Sequence, residues 1–240
     1  MLGKIRSLAF NVFYTIWSIF CLVVFLPSFV SFKTTYAAGR IWALGVAWGM
    51  RVIVGTKYRF EGLENLPQGG CVIASRHQSA WETIMIFVLT KNSGVVYKKE
   101  LARIPLFGWY NILLRNIKVD RQGGIKSLQH TVELVRKRAV EEGRRVVLFP
   151  EGTRTPPGVR PGVKPAVYLM YKEGVDIYPA AVNSGLFWPK DSFDRKKGEI
   201  VWKILPKIES GLGKKEFNKR LEEAIYNESE KLEKQSDENS

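Results

Sequence analysis

From Ser7 to Phe32 the chain carries 26 residues without a formal charge, bounded by Lys4 and Arg6 on one side and Lys33 on the other. As a helix rising ~1.5 Å per residue, that run reaches roughly 39 Å, enough to cross or lie deep in a ~30 Å hydrocarbon core. A segment of this kind must be covered by lipid or protein, so the chain is expected to be membrane-bound. A cleaved signal sequence competes for the same residues, because Lys4 and Arg6 make a basic start and Tyr36-Ala37-Ala38-Gly39 contains small residues. The apolar stretch exceeds the ~7 to 15 residues usual for such a signal, and the small residues lie beyond Lys33, so an uncleaved anchor is expected. Thr34 to Gly55 is apolar and aromatic again, but Arg40 and Arg51 leave only ten uncharged residues between them. This second helix is expected to pack along the first or at the interface, its arginines reaching head groups.

Beyond Lys57 the pattern changes to short alternating elements. Strands are predicted at 57–60, 71–75, 94–97, 116–119, 145–149, 176–182 and 199–205, and helices at 79–90 and 125–142, the second stopped by Gly143. Ile104 to Leu114 is broken by proline and glycine and ends helically. A loop from Pro161 turns into a short helix before Glu173, and 217–231 alternates apolar and charged residues at helical spacing. The final residues are polar enough to be expected disordered. The predicted architecture is an α/β fold, a mixed and largely parallel sheet covered by helices, preceded by an N-terminal two-helix membrane anchor. The expected division is an anchor over 1–55, an α/β domain over 56–210, and a C-terminal amphipathic helix with a polar tail over 211–240.

With 240 residues, 45% of them hydrophobic, the chain can bury a full core. Thirty-seven Lys and Arg against 23 Asp and Glu give a formal charge of +14, which favours an anionic partner. Nucleic acid is not expected, since no recognition motif is present and an anchor would be out of place. Cys21 and Cys71 give no disulfide framework, and two histidines with two cysteines at wide spacing give no zinc signature, so no metal is expected. His130, on an amphipathic helix, reads as a surface residue.

Candidate chemistry centres on Ser75-Arg76-His77-Gln78-Ser79-Ala80-Trp81-Glu82-Thr83, where a strand hands over to a helix. A histidine with an acid five positions on supplies a general base, His77, and a carboxylate to orient it, Glu82. Ser79 to Glu82 is also a capping box, which accounts for both residues without chemistry. Three further blocks fall at strand carboxyl ends: Lys98-Lys99-Glu100, Val119-Asp120-Arg121, and Phe149-Pro150-Glu151-Gly152-Thr153-Arg154-Thr155. Each arginine alone would read as a solvated strand-end charge. Gathered beside one histidine they make a cationic site suited to phosphate, with Gly152 letting backbone approach closely.

These blocks resemble the four motifs of the glycerolipid acyltransferases, in particular the bacterial 1-acylglycerol-3-phosphate O-acyltransferases. His77 to Glu82 resembles the histidine, four residues, acid pattern. Val119-Asp120-Arg121 resembles the second motif, Phe149 to Thr155 the third, and Tyr178-Pro179-Ala180-Ala181-Val182 the fourth. Two places depart from it. The acid is Glu82 rather than aspartate, and Arg115 and Lys118 stand where the second motif has glycine and phenylalanine.

The resemblance implies a membrane enzyme in which His77 takes a proton from the hydroxyl of a lysophospholipid, which attacks acyl-CoA or acyl carrier protein, with no cofactor beyond that donor. It implies that Lys98, Arg121, Glu151, Gly152, Thr153 and Arg154 hold the acceptor, and that the protein sits in the bacterial inner membrane; the lysines and arginines dense from Lys57 onward predict that the catalytic domain stays on the cytoplasmic side. Amides at the helix start near Ser79 are expected to meet the oxyanion. Without a Gly-x-Ser-x-Gly elbow, direct transfer is the simpler scheme. The alternatives are another acceptor, such as glycerol-3-phosphate or a lyso-aminolipid, or a non-catalytic protein that binds anionic lipid.

Overall fold

The computed structural model describes residues 1–104 and 106–238. Pro105, within the broken stretch before Leu114, lies outside the described residues, as do Asn239 and Ser240.

The long uncharged run folds as helix α1 (Leu2–Val24), turns through Leu26–Ser28, and returns as α2 (Phe32–Gly49), which runs on into a π turn at Met50–Val54. Both helices are long and apolar enough to cross a membrane. They pack closely because small residues on α2 admit rings from α1: a Cβ on Gly45 would collide with the Trp17 ring. Indole groups close the seam, Trp17 donating to the Trp42 carbonyl at 3.0 Å and Trp42 to Ser18 Oγ at 3.0 Å. The outer face stays apolar and exposed at Leu8, Val12, Ile16, Ile19 and Phe20.

The hairpin is fastened to the rest of the chain along its length. Near the start of α1, Ser7 Oγ accepts from the Arg195 amide at 2.8 Å and Asn11 donates to the Phe193 carbonyl at 2.9 Å. At the tip, Phe29 packs on Trp109 and Tyr110 with centroids 6.1 and 5.5 Å apart. A hairpin held at both ends lies against the α/β body rather than projecting from it.

Seven strands follow: β1 (Thr56–Glu61), β2 (Cys71–Ser75), β3 (Ser93–Lys98), β4 (Ile117–Val119), β5 (Arg145–Leu148), β6 (Ile177–Val182) and β7 (Gly198–Ile204). Their order is β1-β7-β6-β2-β5-β3-β4, parallel throughout except where β7 meets β6. The helices between them are α3 (Trp81–Leu89), α4 (Phe107–Leu113), α5 (Gly124–Arg136, extended by a π turn at Lys137–Glu141) and α6 (Pro165–Lys172). Alternate residues of the central strands feed two cores. Ile73, Val147 and Ala180 face α3 and the hairpin, sharing a cluster with Trp81, Met85, Phe10 and Val46. Val72, Ala74 and Val146 face α5 and α6, with Val135, Val167 and Met170. The sheet is thus covered on both sides, as buried parallel strands require.

The C-terminal helix α7 (Lys214–Glu238) runs further than its sequence suggests. The polar residues after Lys231 are helical to Glu238, not disordered as expected: Leu232 and Glu233 are buried, and Asn183 Nδ2 donates to Ser236 Oγ at 2.8 Å. Partners on distant elements satisfy a segment whose own composition would leave it solvated. Toward its start α7 closes the second core with Phe217, Leu221 and Ile225, all fully buried, and the Phe217 ring lies 4.4 Å from that of Tyr171. Truncating such a ring removes transfer energy and leaves a cavity, so Phe217→Ala is expected to cost about 3–5 kcal/mol in denaturant unfolding of the detergent-solubilised protein.

Candidate active site

The carboxyl ends of the five parallel strands β6, β2, β5, β3 and β4 carry the sequence blocks singled out above, and those after β5 and β4 reach the turn after β2. His77 sits two residues past the end of β2. Its ring stacks on Phe149, which follows β5, with centroids 3.8 Å apart and planes 14° from parallel. Its amide donates to Glu151 Oε1 at 3.1 Å and its carbonyl accepts from the Thr155 amide at 2.8 Å. The block from Phe149 to Thr155 therefore wraps His77 by ring, amide and carbonyl.

Glu151 is itself nearly solvent-free and pairs with Arg76 at 3.0 Å, both side chains almost fully buried. It also accepts from the Thr155 hydroxyl. Arg76 donates to the carbonyls of Pro156 and Val159 at 3.0 and 2.6 Å and lies 4.9 Å over the Tyr226 ring of α7. Burial pushes the Glu151 carboxyl up against the opposing pull of Arg76. Glu151, expected among substrate-binding residues, is placed on the frame of the turn.

Glu82 is fully buried in the first turn of α3. Its carboxylate accepts from the Gln78 amide at 2.8 Å, the Ser79 amide at 3.1 Å, the Ser79 hydroxyl at 3.0 Å and the Ser184 hydroxyl at 2.7 Å. Ser79 Oγ in turn accepts from the Trp81 amide at 2.9 Å. This is the capping reading with an extra donor after β6. The structure does not bring Glu82 into hydrogen bond with His77: among the described residues the buried His77 Nδ1 has no partner. The amides expected to meet an oxyanion are engaged as well, since those of Gln78, Ser79 and Trp81 all donate within the turn.

Around the imidazole stand the cations. Arg121 follows β4. Arg154 follows Gly152, at φ +75, a left-handed turn that a Cβ would strain, and it pairs with Asp191 at 3.1 Å; Thr153 is exposed beside it. Burial and then the charges of Arg154, Arg121, Arg76 and Lys190 push the His77 value down from 6.5 to about 3. Lys98 ends β3, exposed and without an ion-pair partner among the described residues. His130 is exposed on α5. No group of three His, Cys, Asp or Glu able to hold a metal ion occurs among the described residues.

Sequence reasoning missed Lys190, Ser184, Gln78 and the reach of α7. Gln78 Nε2 donates to Glu233 of α7 at 2.6 Å, and Gln78 Oε1 accepts from the Gly185 amide at 3.0 Å. A signal was present for Ser184, which follows β6 as the other blocks follow their strands; Lys190 lies further on, past the turn at Ser184–Leu186.

A family model described as Acyltransferase matches residues 57–183. A 1-acyl-sn-glycerol-3-phosphate acyltransferase of Pseudomonas aeruginosa is 33% identical over 207 residues, covering 84% of this chain and 80% of that protein. One from Limnanthes douglasii is 28% identical over 208 residues, covering 78% and 73%. Among solved structures, the 1-acyl-sn-glycerophosphate (LPA) acyltransferase of Thermotoga maritima superposes with a TM-score of 0.76 at 22% identity, over 97% of this chain and 98% of that one, and so shares the fold.

A histidine value lowered on folding means that the unfolded chain binds the extra proton. Stability carried by neutral His77 is present above about pH 6.5 and is lost as pH falls toward 3. The ring resonances of His77, assigned with the His130→Gln variant, are expected to stay those of neutral imidazole down to about pH 5, where an ordinary histidine would be mostly protonated.

Proposed function

The chain belongs to the acyltransferase family, and from that premise we propose that it moves a fatty acyl group from an acyl thioester to the free hydroxyl of 1-acylglycerol-3-phosphate, giving phosphatidic acid at a membrane. The observation that carries this reading is His77, stacked on Phe149 at the strand ends, where burial and the charges of Arg154, Arg121, Arg76 and Lys190 favour the neutral ring; Asp191 pairs with both Arg154 and Lys190. A neutral imidazole can accept a hydroxyl proton, and guanidinium groups hold a phosphate bidentately.

The steps balance with this chain's own residues. His77 takes the proton as the acceptor oxygen attacks the thioester carbonyl, the C–S bond breaks, and the imidazolium returns the proton to the leaving thiolate. Glu82 contributes by fixing the amides of Gln78 and Ser79, and Glu151 by fixing the amide of His77 itself, so both carboxylates act through the backbone of the turn. The developing oxyanion falls in the field of the same cations. The donor is acyl-CoA or acyl carrier protein, and the membrane lipids supply acceptor and receive product. The exposed apolar face of the hairpin and the excess of lysine and arginine beyond it support attachment to the bacterial inner membrane with the α/β body on the cytoplasmic side.

A panel of acceptors tests the reading: 1-acylglycerol-3-phosphate, glycerol-3-phosphate and a lyso-aminolipid, each offered with labelled acyl-CoA to the protein reconstituted in vesicles. Labelled phosphatidic acid is the expected product, and its absence beside acylation of another acceptor would reassign the substrate. His77→Ala is expected to lower kcat by at least the roughly 10²-fold of lost general-base catalysis. For Arg154→Ala, the KM of the acceptor should rise more than that of the donor; equal increases would remove Arg154 from the head-group site.

A further inference from the structure

Helix α4 is built inside out. Its inward face carries small and polar residues beside one ring: Gly108 lies against the Ala102 carbonyl, the buried Asn111 donates to the Phe107 carbonyl at 2.7 Å and accepts from Asn116 at 2.8 Å, and Tyr110 packs on Phe29 and Phe87. Its outward face carries Phe107, Trp109 and Ile112, exposed by 40%, 46% and 71%. The turn before it adds exposed Leu101, Ile104 and Leu106. A water-facing helix places these residue types the other way round, and an apolar surface of this kind marks a contact with something apolar.

The surroundings of α4 indicate what covers it. Phe29, at the tip of the α1–α2 hairpin, packs on Trp109 and Tyr110 of α4, and the exposed Leu26 and Val30 flank it. The apolar face of α4 is therefore continuous with that of the hairpin, and ring contacts fix the two at one level. Its border is cationic: Lys98, Arg103, Arg115 and Lys118 are exposed and form no ion pair among the described residues. Arg115 and Lys118 are the two positions that depart from the second motif. An apolar and indole-bearing face rimmed by unpaired cations matches a bilayer surface carrying anionic head groups better than a protein partner.

We propose that α4, with Leu101, Ile104 and Leu106 before it, forms a second membrane-contacting surface, seated in the head-group and upper acyl region beside the hairpin tip. This rests on the membrane association in the functional reading, but not on its chemistry. The surface lies between the hairpin and the cationic ends of β3 and β4, so it brings Lys98 and Arg121 to the level of lipid phosphates. A lysolipid can then reach the site without leaving the interface.

The test is an environment-sensitive label at Ile112→Cys in the full-length protein, both native cysteines being buried, reconstituted in vesicles of phosphatidylcholine and phosphatidylglycerol. A label at Val140→Cys, exposed on the opposite face of the sheet, is the reference. The expected result is quenching at position 112 by brominated acyl chains with loss of quenching by aqueous iodide, and the reverse at position 140. Equal access of iodide to both positions would overturn the proposal. So would shielding at 112 that depends on protein concentration without quenching by brominated chains, which would assign the face to a second copy. Because neither readout needs turnover, a protein that failed every acyl-transfer assay would still report this contact. In an active protein, Ile112→Glu is expected to raise the KM for a long-chain acceptor in vesicles several-fold and to leave a water-soluble short-chain acceptor unchanged; equal losses on both would count against it.

Discussion

Arg76 and Glu151 meet at 3.0 Å almost out of contact with water, and the geometry of the candidate site depends on that pair. Glu151 grips the amide of His77 and the hydroxyl of Thr155, while Arg76 grips the carbonyls of Pro156 and Val159. The pair thus ties the turn after β2 to the loop after β5 across two neighbouring strands. A buried ion pair adds little net stability compared with an apolar substitute, because both charges lose their hydration. Leaving one charge without the other is what costs heavily, so the arrangement gives the two loops a single joint register. That is the property a base needs when its partner atoms must be held to within a fraction of an ångström.

A second consequence is that, among the described residues, neither Glu82 nor Glu151 hydrogen-bonds the His77 ring. Glu82 and Glu151 are both buried, both pushed up by that burial, and both saturated with donors from the backbone and hydroxyls of the turns. Each is directed at the backbone and hydroxyls of the loops, and the imidazole is left facing cations. Helix α7 completes the frame from outside, placing Tyr226 under Arg76 and Glu233 against Gln78. A helix that begins as a core element, with Phe217 and Leu221, ends as a support for the site.

Much of this was legible in the sequence, for reasons that are local. Cys71 to Ser75 reads as a strand to the residue because an apolar run is bounded by Gly69-Gly70 and by His77. The alternation of strand and helix carries the largely parallel sheet, and the strand ends carry Arg121 and Arg154. Other features were not legible because their cause is distant. Nothing in Gln235 or Ser236 announces that Asn183 waits beside them, so the end of α7 looks disordered. Ser79-x-x-Glu82 is equally good as a cap and as part of a base, and only the absent contact to His77 Nδ1 separates the two in space. The pattern of α4 gives aromatic residues at helical spacing but not which face turns outward, since that is decided by where Ala102 and Asn116 already are.

Burial first, and then the cations around the ring, weaken the proposed base. With burial, Arg154, Arg121, Arg76 and Lys190 hold His77 at about 3, which makes neutral imidazole abundant but a poor proton acceptor. An acceptor phosphate seated among Arg121, Arg154 and Lys190 would offset three of those four charges. The value of His77 would then move back up, because an opposite charge nearby favours the imidazolium. Water, arriving without a phosphate, meets the weaker base. In the acyl-transfer reading proposed above, the same electrostatics would couple proton transfer to the presence of the acceptor phosphate, and so favour the lipid hydroxyl over hydrolysis of the thioester.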